Sequence, residues 1–331
     1  MSATASLLRQ QIFNIQTPAQ FEAITLDVFR YQAANNLVYK QFLNYMGCNT
    51  SKVTRIADIP FLPLELFKTQ HLVTGNLPIE QTFTSSGTTG AQTSQHHVCD
   101  LILYEESFTR SFEHFYGTID QYCVLALLPA YLERTGSSLV YMANKFIEQS
   151  HHPKSGFYLY NYANLAKILQ ELNNIQQKTL LLGVSFGLWD LAEQYPQPLH
   201  HTLIMETGGM KGKRPEIVRP HLHQILQNAF GVTAIHSEYG MTELLSQAYS
   251  QGQGIFNCPA WMQVLVREPN DPLHILTTNQ VGCLNVIDLA NLHSCSFLAT
   301  ADLGKVFDDN SFEILGRMDS SDVRGCNLMV L

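Results

Sequence analysis

Long apolar runs are missing from this sequence of 331 residues. Its most apolar stretches, residues 123–128 and 179–184, have the length of a β-strand, whereas a membrane-crossing helix needs about 20 apolar residues. Residues 1–6 carry neither a basic start nor an apolar core, so the sequence predicts no signal peptide. We therefore expect a chain without a membrane span and a cytoplasmic location.

Basic clusters and paired cysteines are scarce as well. The chain has 20 Lys and Arg residues against 28 Asp and Glu residues, a formal net charge of -8, and no run of basic residues. This balance argues against a general nucleic-acid-binding surface but is compatible with a small anionic ligand held by a few local groups. The seven cysteines are scattered without CxxC spacing, which favours reduced thiols over a disulfide framework or a zinc site.

Segments with helical spacing alternate with short apolar segments along the chain. Hydrophobic residues make up 45% of the sequence, which is ample for a core. Helical patterns cover residues 6–15, 18–45, 101–115, 137–150, 161–173, 188–194 and 216–230, and strands are predicted at 123–128, 179–184, 201–205 and 232–235, with a turn at 206–209. The pattern predicts an α/β fold with a largely parallel sheet, helices, and a smaller β-rich part near the end.

One loop consists only of serine, threonine and glycine and follows a β-prone approach at residues 81–84. Its members are Ser85, Ser86, Gly87, Thr88, Thr89 and Gly90. Small hydroxyls, open backbone N–H groups and flexible glycines can curl into a nest for phosphate. No Gly-Lys-Ser/Thr follows, so the loop is not a Walker A motif. A flexible linker is the alternative interpretation.

A second polar segment, residues 236–243, follows the predicted strand 232–235. Strand ends are where open α/β sheets bind ligands. The ring of Tyr239 can stack on a purine beside Gly240, Thr242 can donate to a phosphate oxygen, and Glu243 can hold Mg²⁺. Taken alone, the segment is equally compatible with an ordinary strand-to-helix turn.

A third segment contains an aspartate and an arginine. Asp302 precedes a Leu-Gly turn and can accept hydrogen bonds from two ribose hydroxyls, and Arg317 can add positive charge near the ribose or the phosphates. An Asp-Leu-Gly turn by itself is weak evidence.

In this order and spacing, the three segments resemble the adenylate-forming superfamily of acyl and aryl ligases. The resemblance implies that residues 85–90 bind the phosphates of ATP, Tyr239 to Glu243 form the adenine and magnesium motif, Asp302 binds the ribose, and Gly316-Arg317 is the hinge motif. It implies the large N-terminal domain of such ligases over residues 1–316, with a helical segment to about residue 58. Residues 317–331 form a short tail that carries Cys326.

The closer resemblance is to the acyl-protein synthetases of the LuxE type, beside the phenylacetate-CoA ligase-like branch. It is carried by residues 59–63 ahead of Phe67-Lys68, by residues 207–212 with Gly208, Gly209 and Lys211, and by residues 322–327. This branch implies that a fatty or other carboxylic acid is activated with ATP and Mg²⁺ to an acyl-adenylate and then passed to a thiol. The implied acceptors are Cys326, a reductase, a carrier protein or coenzyme A.

The resemblance also assigns roles to individual residues. Thr88 and Thr89 bind phosphates, Thr242 binds the α-phosphate and Glu243 the metal, while Lys211 supplies a cation. Lys213 and Arg214 are more simply explained as a solvated basic turn.

Most members of the superfamily continue into a small domain with a mobile lysine, and only 14 residues follow Arg317 here, so we expect that domain to be absent. Cys326 is expected to carry the acyl group as a thioester, with an inert tail cysteine as the alternative.

Two other classes of function remain open. Gly183-Val184-Ser185-Phe186-Gly187 matches the nucleophile elbow of esterases, and Asp288 and His293 would complete the order of a triad, although no His-Gly-Gly-Gly segment accompanies them. A non-catalytic nucleotide or acyl binder is the other class. The histidine pairs at 96–97, 151–152 and 200–201, together with His221 and His223, are predicted to lie on the surface or in loops rather than to bind a metal.

Overall fold

Helices and strands alternate through the first two thirds of the chain in a computed structural model that describes residues 2–85, 92–128, 136–210, 213–215 and 217–318. The helices of this described part are α1 (Ala3–Ile12), α2 (Pro18–Asn35), α3 (Leu37–Tyr45), α4 (Leu66–Thr69), α5 (Leu101–Tyr116), α6 (Ser138–Ser150), α7 (Tyr162–Asn174), α8 (Ser185–Gln194) and α9 (Arg219–Phe230). Within it, no helix has the length and apolarity needed to cross a membrane.

Fourteen strands occur among the described residues. They are β1 (Leu62–Pro63), β2 (Gln81–Thr84), β3 (Gln95–Val98), β4 (Cys123–Leu127), β5 (Gly156–Phe157), β6 (Thr179–Val184), β7 (Thr202–Thr207), β8 (His236–Tyr239), β9 (Ala248–Ser250), β10 (Ile255–Asn257), β11 (Met262–Arg267), β12 (Val281–Asp288), β13 (Phe297–Val306) and β14 (Phe312–Arg317). Only β2 and β3 stand apart, as an antiparallel hairpin.

One mixed sheet holds the other strands. One end is parallel, in the order β5-β4-β6-β7-β8, and the sheet continues antiparallel through β9, β10, β14, β13, β12 and β11. Strand β1 adds to β13 in parallel. This architecture confirms the predicted α/β class with a β-rich part.

The parallel strands are covered on both faces, which explains their continuous apolar sequences. Every residue of β4 and of β6 is buried. Helix α6 packs against β4, and α8 packs against β6 and β7. Because β6, β7 and β8 run parallel, their carboxyl ends lie at one edge of the sheet.

The helical pattern predicted over residues 18–45 is divided into two helices, α2 and α3, because Asn36 interrupts it. Asn36 has extended backbone angles, and its side-chain Oδ1 caps α3 by accepting from the backbone N–H of Tyr39 at 2.9 Å. Its Nδ2 donates to Thr74 Oγ1 at 3.0 Å and to the carbonyl of Ser294 at 2.8 Å. A buried asparagine thus ties the helical segment to the β-rich part.

The strand predicted at residues 232–235 is wrong, since the chain first has to cross from α9 to the sheet. Gly231 ends α9 in a left-handed conformation (φ +62°), and the Gln227 side chain donates to the Thr233 carbonyl. Pairing with β7 begins only at His236, opposite Met205. The polar segment thus begins inside the strand.

Three other boundaries differ from the prediction. The predicted turn at 206–209 begins at Gly208 because β7 stays paired through Thr207. Helix α8 starts at Ser185, earlier than predicted, and α9 starts later, at Arg219.

Candidate active site

Three strands bring together the tyrosine, aspartate and arginine that the sequence singled out. Tyr239 ends β8, and its hydroxyl donates to Asp302 Oδ2 at 2.8 Å. Asp302 in β13 lies directly opposite Arg317 in β14. The ring of Tyr239 is buried and packs edge-on against Phe256 and Phe312. Residues that are far apart in the sequence therefore form one cluster.

The protonation of this cluster follows from its burial. Burial, followed by the charge of Asp302, raises the pKa of Tyr239 well above its usual range, so the phenol keeps its proton and donates. Burial also raises the pKa of Asp302, while the Tyr239 hydrogen bond and the Arg317 charge oppose that shift. Arg317 is exposed, so its guanidinium group is also accessible to an anionic ligand.

Glu243 presents a second buried carboxylate close by. It is 8% exposed, and its backbone carbonyl is fixed by the Asn291 side chain at 2.7 Å. Burial raises the pKa of Glu243, whereas a hydrogen bond from Ser94 and the charges of Arg317 and Lys68 lower it. Its carboxylate forms no ion pair with any residue in the described ranges. Such a group can accept a cation.

The base of the Ser/Thr/Gly loop lies beside Glu243. The Ser85 N–H donates to the Ser94 carbonyl at 3.1 Å, and the Ser94 N–H donates to Ser85 Oγ at 2.9 Å. These two bonds close the β2–β3 hairpin below the loop. Ser85 is thus placed at the site, while Ser86, Gly87, Thr88, Thr89 and Gly90 lie outside the described residues.

His96 joins this hairpin to the Thr242 segment, a contact that sequence reasoning missed. Its Nδ1–H donates to the Thr242 carbonyl at 2.7 Å, and its Nε2 accepts from Ser294 Oγ at 2.9 Å. The side chain is 1% exposed, and burial lowers its pKa to about 4. The ring is therefore neutral with the proton on Nδ1.

The prediction that His96 and His223 lie at the surface is wrong, because both are buried. Alternate residues of β3 are buried, and this period of two could have predicted the burial of His96. His96 sits opposite the buried Phe83 and two residues from the buried Val98.

The Gly208-Gly209 turn follows β7 at the same edge. The Gly208 carbonyl oxygen lies 3.2 Å from Ser185 Oγ, and a side chain at Gly209 would meet open space. Lys211 lies outside the described residues, as does Cys326. Arg214 is half-buried and forms ion pairs with Asp190 and Glu193, so it is less solvated than the basic turn that the sequence predicted.

In the described structure, the residues of the alternative hydrolase triad form no hydrogen bonds with one another. Ser185 Oγ donates to Glu206 Oε2 at 2.9 Å and is buried. Asp288 accepts from the backbone and hydroxyl of Ser246, and neither ring nitrogen of His293 has a partner in the part of the chain that the structure describes. The described geometry therefore does not support nucleophilic catalysis by Ser185.

Comparison of the sequence with protein-family models and with curated protein sequences finds no match. Solved structures do share the fold. ATP-bound MatB from Rhodopseudomonas palustris superposes with a TM-score of 0.55 at 16% identity, over 72% of this chain and 48% of its own. An open conformation of 2-hydroxyisobutyryl-CoA ligase, in complex with 2-HIB-AMP and CoA, gives a TM-score of 0.67 at 14% identity, over 92% of this chain and 72% of its own.

Likeness at these identities concerns the fold alone. The chain spans about half the length of the MatB structures that it matches. Within that span it has the mixed α/β fold that these ligases use, as the resemblance to the adenylate-forming superfamily predicted.

Proposed function

We propose that this chain activates a carboxylic acid with ATP, forming an acyl-adenylate and pyrophosphate, and transfers the acyl group to a protein thiol. One observation carries the proposal. Tyr239, Asp302 and Arg317 converge from three strands, next to Glu243 and the base of the Ser/Thr/Gly loop. The fold shared with ATP-bound and acyl-AMP-bound ligases supports the same conclusion.

In this proposal the nucleotide lies across the carboxyl ends of β7 and β8. Asp302, oriented by Tyr239, accepts from the ribose hydroxyls, and its second oxygen stays available for that purpose. The adenine lies beside Tyr239 and Gly240, with Gly208-Gly209 on the neighbouring strand end. Thr242 donates to the α-phosphate. Residues 85–90 surround the phosphates with hydroxyls and N–H groups.

Glu243 fits the role of a Mg²⁺ ligand. Its carboxylate is buried, has a raised pKa, and forms no ion pair in the described chain, so a bound cation would relieve the cost of burying its charge. Magnesium usually takes one or two carboxylates together with substrate phosphates. The ion would supply charge neutralisation at the phosphates.

Positive charge for the adenylation step comes from Arg317 and Lys211. The substrate carboxylate attacks the α-phosphorus, the bond to the β-phosphate oxygen breaks, and pyrophosphate leaves. Most of the catalysis in such a step is positioning and charge stabilisation. Arg317 is exposed, and its charge already acts on both Asp302 and Glu243.

Cys326 is the proposed acceptor within the chain. Its thiolate attacks the carbonyl carbon of the acyl-adenylate, a thioester forms, and AMP leaves. From there the acyl group passes to a reductase or a carrier protein. The acyl-protein branch and a fatty acyl group are proposed from the sequence resemblance, whereas direct transfer to coenzyme A is the second candidate because 2-hydroxyisobutyryl-CoA ligase shares the fold.

ATP–pyrophosphate exchange with a panel of carboxylic acids tests the proposal. Exchange with at least one acid is expected, and ATP binding without exchange would leave a non-catalytic binder. Intact mass after incubation with ATP, Mg²⁺ and acid then reports acylation. Cys326→Ser should abolish a hydroxylamine-sensitive adduct, with Cys48→Ser as the matched control because Cys48 is a free, partly exposed thiol. When coenzyme A is added, an acyl-CoA product formed by both variants points to the coenzyme A branch.

A further inference from the structure

Glu238 adds a third carboxyl group to the candidate site, and the sequence pattern assigned no role to it. It precedes Tyr239 in β8, and its Oε2 accepts from Thr207 Oγ1 at 2.5 Å. Its Oε1 lies over the next glycine, since a Cβ atom on Gly240 would be only 2.4 Å from it. Glycine at position 240 therefore makes room for the Glu238 carboxyl group.

The two faces of β8 separate this carboxyl group from the proposed ribose contact. Side chains alternate along a strand, and Tyr239 points toward Asp302. Glu238 points to the opposite face, with Thr207 of the adjacent strand. Both faces end at Gly240, where the chain turns toward Thr242. A carboxylic acid could therefore approach the α-phosphate beside Thr242 from the face of β8 that carries Glu238. On that face it would not collide with the ribose.

One oxygen of Glu238 remains open to a ligand. Among the described residues, only Thr207 forms a hydrogen bond with this carboxyl group, and Glu238 is partly exposed. An unpaired carboxyl oxygen disfavours contact with an alkyl chain, because it loses water and gains no partner. Glu238 would therefore oppose the binding of an unsubstituted fatty acyl group at this position.

We propose that Glu238 is a specificity-determining residue, which selects carboxylic acids whose acyl group carries a hydroxyl or amino donor for its free oxygen. The inference rests on the proposed function, and it narrows the substrate class of that same site from fatty acids in general to polar-substituted ones.

The electrostatics agree with this role. Burial raises the pKa of Glu238 to about 7; the Thr207 hydrogen bond opposes this shift, and the charge of Glu206 adds to it. Near neutral pH the group is thus present both as an acid, which donates and accepts, and as a carboxylate, which accepts only. A hydroxyl can pair with either form, and an ammonium pairs with the carboxylate.

The test compares chain-matched acids in ATP–pyrophosphate exchange. Each pair consists of an unsubstituted acid and its 2-hydroxy, 3-hydroxy or amino derivative, and kcat/KM is measured for both. We expect at least one substituted acid to exceed its unsubstituted partner by roughly tenfold or more in the wild-type protein. Glu238→Met, which keeps the chain length without the carboxyl group, should bring the ratio within about threefold of one.

Two further variants sharpen the result. Glu238→Gln keeps an acceptor oxygen but no charge, so it should retain a preference for a hydroxyl and lose one for an ammonium. Glu22→Met, an exposed residue of α2, should leave every ratio unchanged.

Exchange in which unsubstituted acids are preferred, or a preference that Glu238→Met leaves intact, overturns the role of Glu238 alone. A wild-type protein without exchange for any acid overturns the proposed function, and this inference with it. Where Glu238→Met does not fold, as judged by circular dichroism, the wild-type ratios and the Gln variant decide.

Discussion

Removing the hydroxyl of Tyr239 should weaken ATP binding through the ribose. Tyr239→Phe keeps the ring against Phe256 and Phe312 but deletes the donor that lies 2.8 Å from Asp302 Oδ2. Asp302 then loses both its orientation and a hydrogen bond that lowers its pKa. A hydrogen bond to a charged group contributes about 2 kcal/mol, so the Kd for ATP should rise roughly 30-fold.

The ribose hydroxyls provide the decisive comparison. Isothermal titration calorimetry with ATP and with 2′,3′-dideoxy-ATP measures the contribution of those hydroxyls in each protein. The wild-type protein should prefer ATP strongly, and Tyr239→Phe should lose most of that preference because Asp302 is no longer held in place. The two substitutions, one in the protein and one in the ligand, form a thermodynamic cycle whose coupling energy isolates this contact.

A matched control removes a tyrosine hydroxyl elsewhere. Tyr158 donates to the Lys154 carbonyl at 2.7 Å, so Tyr158→Phe deletes a comparable bond away from the Asp302 cluster and should leave ATP affinity unchanged. Equal losses of affinity for ATP and the dideoxy analogue in Tyr239→Phe would refute the assignment of Asp302 to the ribose. Thermal unfolding of each variant separates a folding defect from a binding defect.

Three other substitutions follow from the same geometry. Glu243→Gln should raise the Mg²⁺ concentration for half-maximal exchange by roughly tenfold or more, since it removes the ligand charge; an unchanged Mg²⁺ dependence would exclude Glu243 as the ligand. Gly240→Ala should lower exchange activity, because its Cβ would lie 2.4 Å from Glu238 Oε1, and unaltered kinetics would show that the carboxyl position is unimportant. Between about pH 6.5 and pH 4 the unfolded chain protonates His96 while the folded chain does not, so His96 by itself should contribute a loss of about 3 kcal/mol to the free energy of unfolding as the pH drops through this window. His96→Leu should show a shallower loss in urea unfolding across the same pH range, and identical slopes would contradict the buried, neutral state of His96.

The sequence was sufficient to predict the α/β class because its apolar segments are unambiguous. Residues 179–184 are continuous and apolar, and they form β6 with the predicted bounds. Tyr239, Asp302 and Arg317 were selected for their chemistry and order along the chain, and the structure places them together. The local sequence pattern and the spacing of the motifs were therefore sufficient to select the main residues of the candidate site.

The remaining features depend on contacts between distant residues. Asn36 breaks a helical pattern because it bonds to Thr74 and Ser294, and no signal within residues 18–45 reports those partners. The role of His96 requires Thr242 and Ser294, which approach it only in the folded sheet. His96 was predicted to lie at the surface because it is polar, whereas hydrogen bonds to distant residues allow it to be buried.

Strand β14 has a consequence for the order of events during synthesis. It lies between β13 and β10, so within the described sheet the β11–β13 strands join the rest only after β14 has formed. The parallel strands can pair soon after β8 leaves the ribosome, but Asp302 gains its neighbour Arg317 only with the last described strand. Pairing between distant segments is slow to form. A nascent chain would therefore hold a folded parallel half, with an open strand edge at β10, before the proposed nucleotide site is complete.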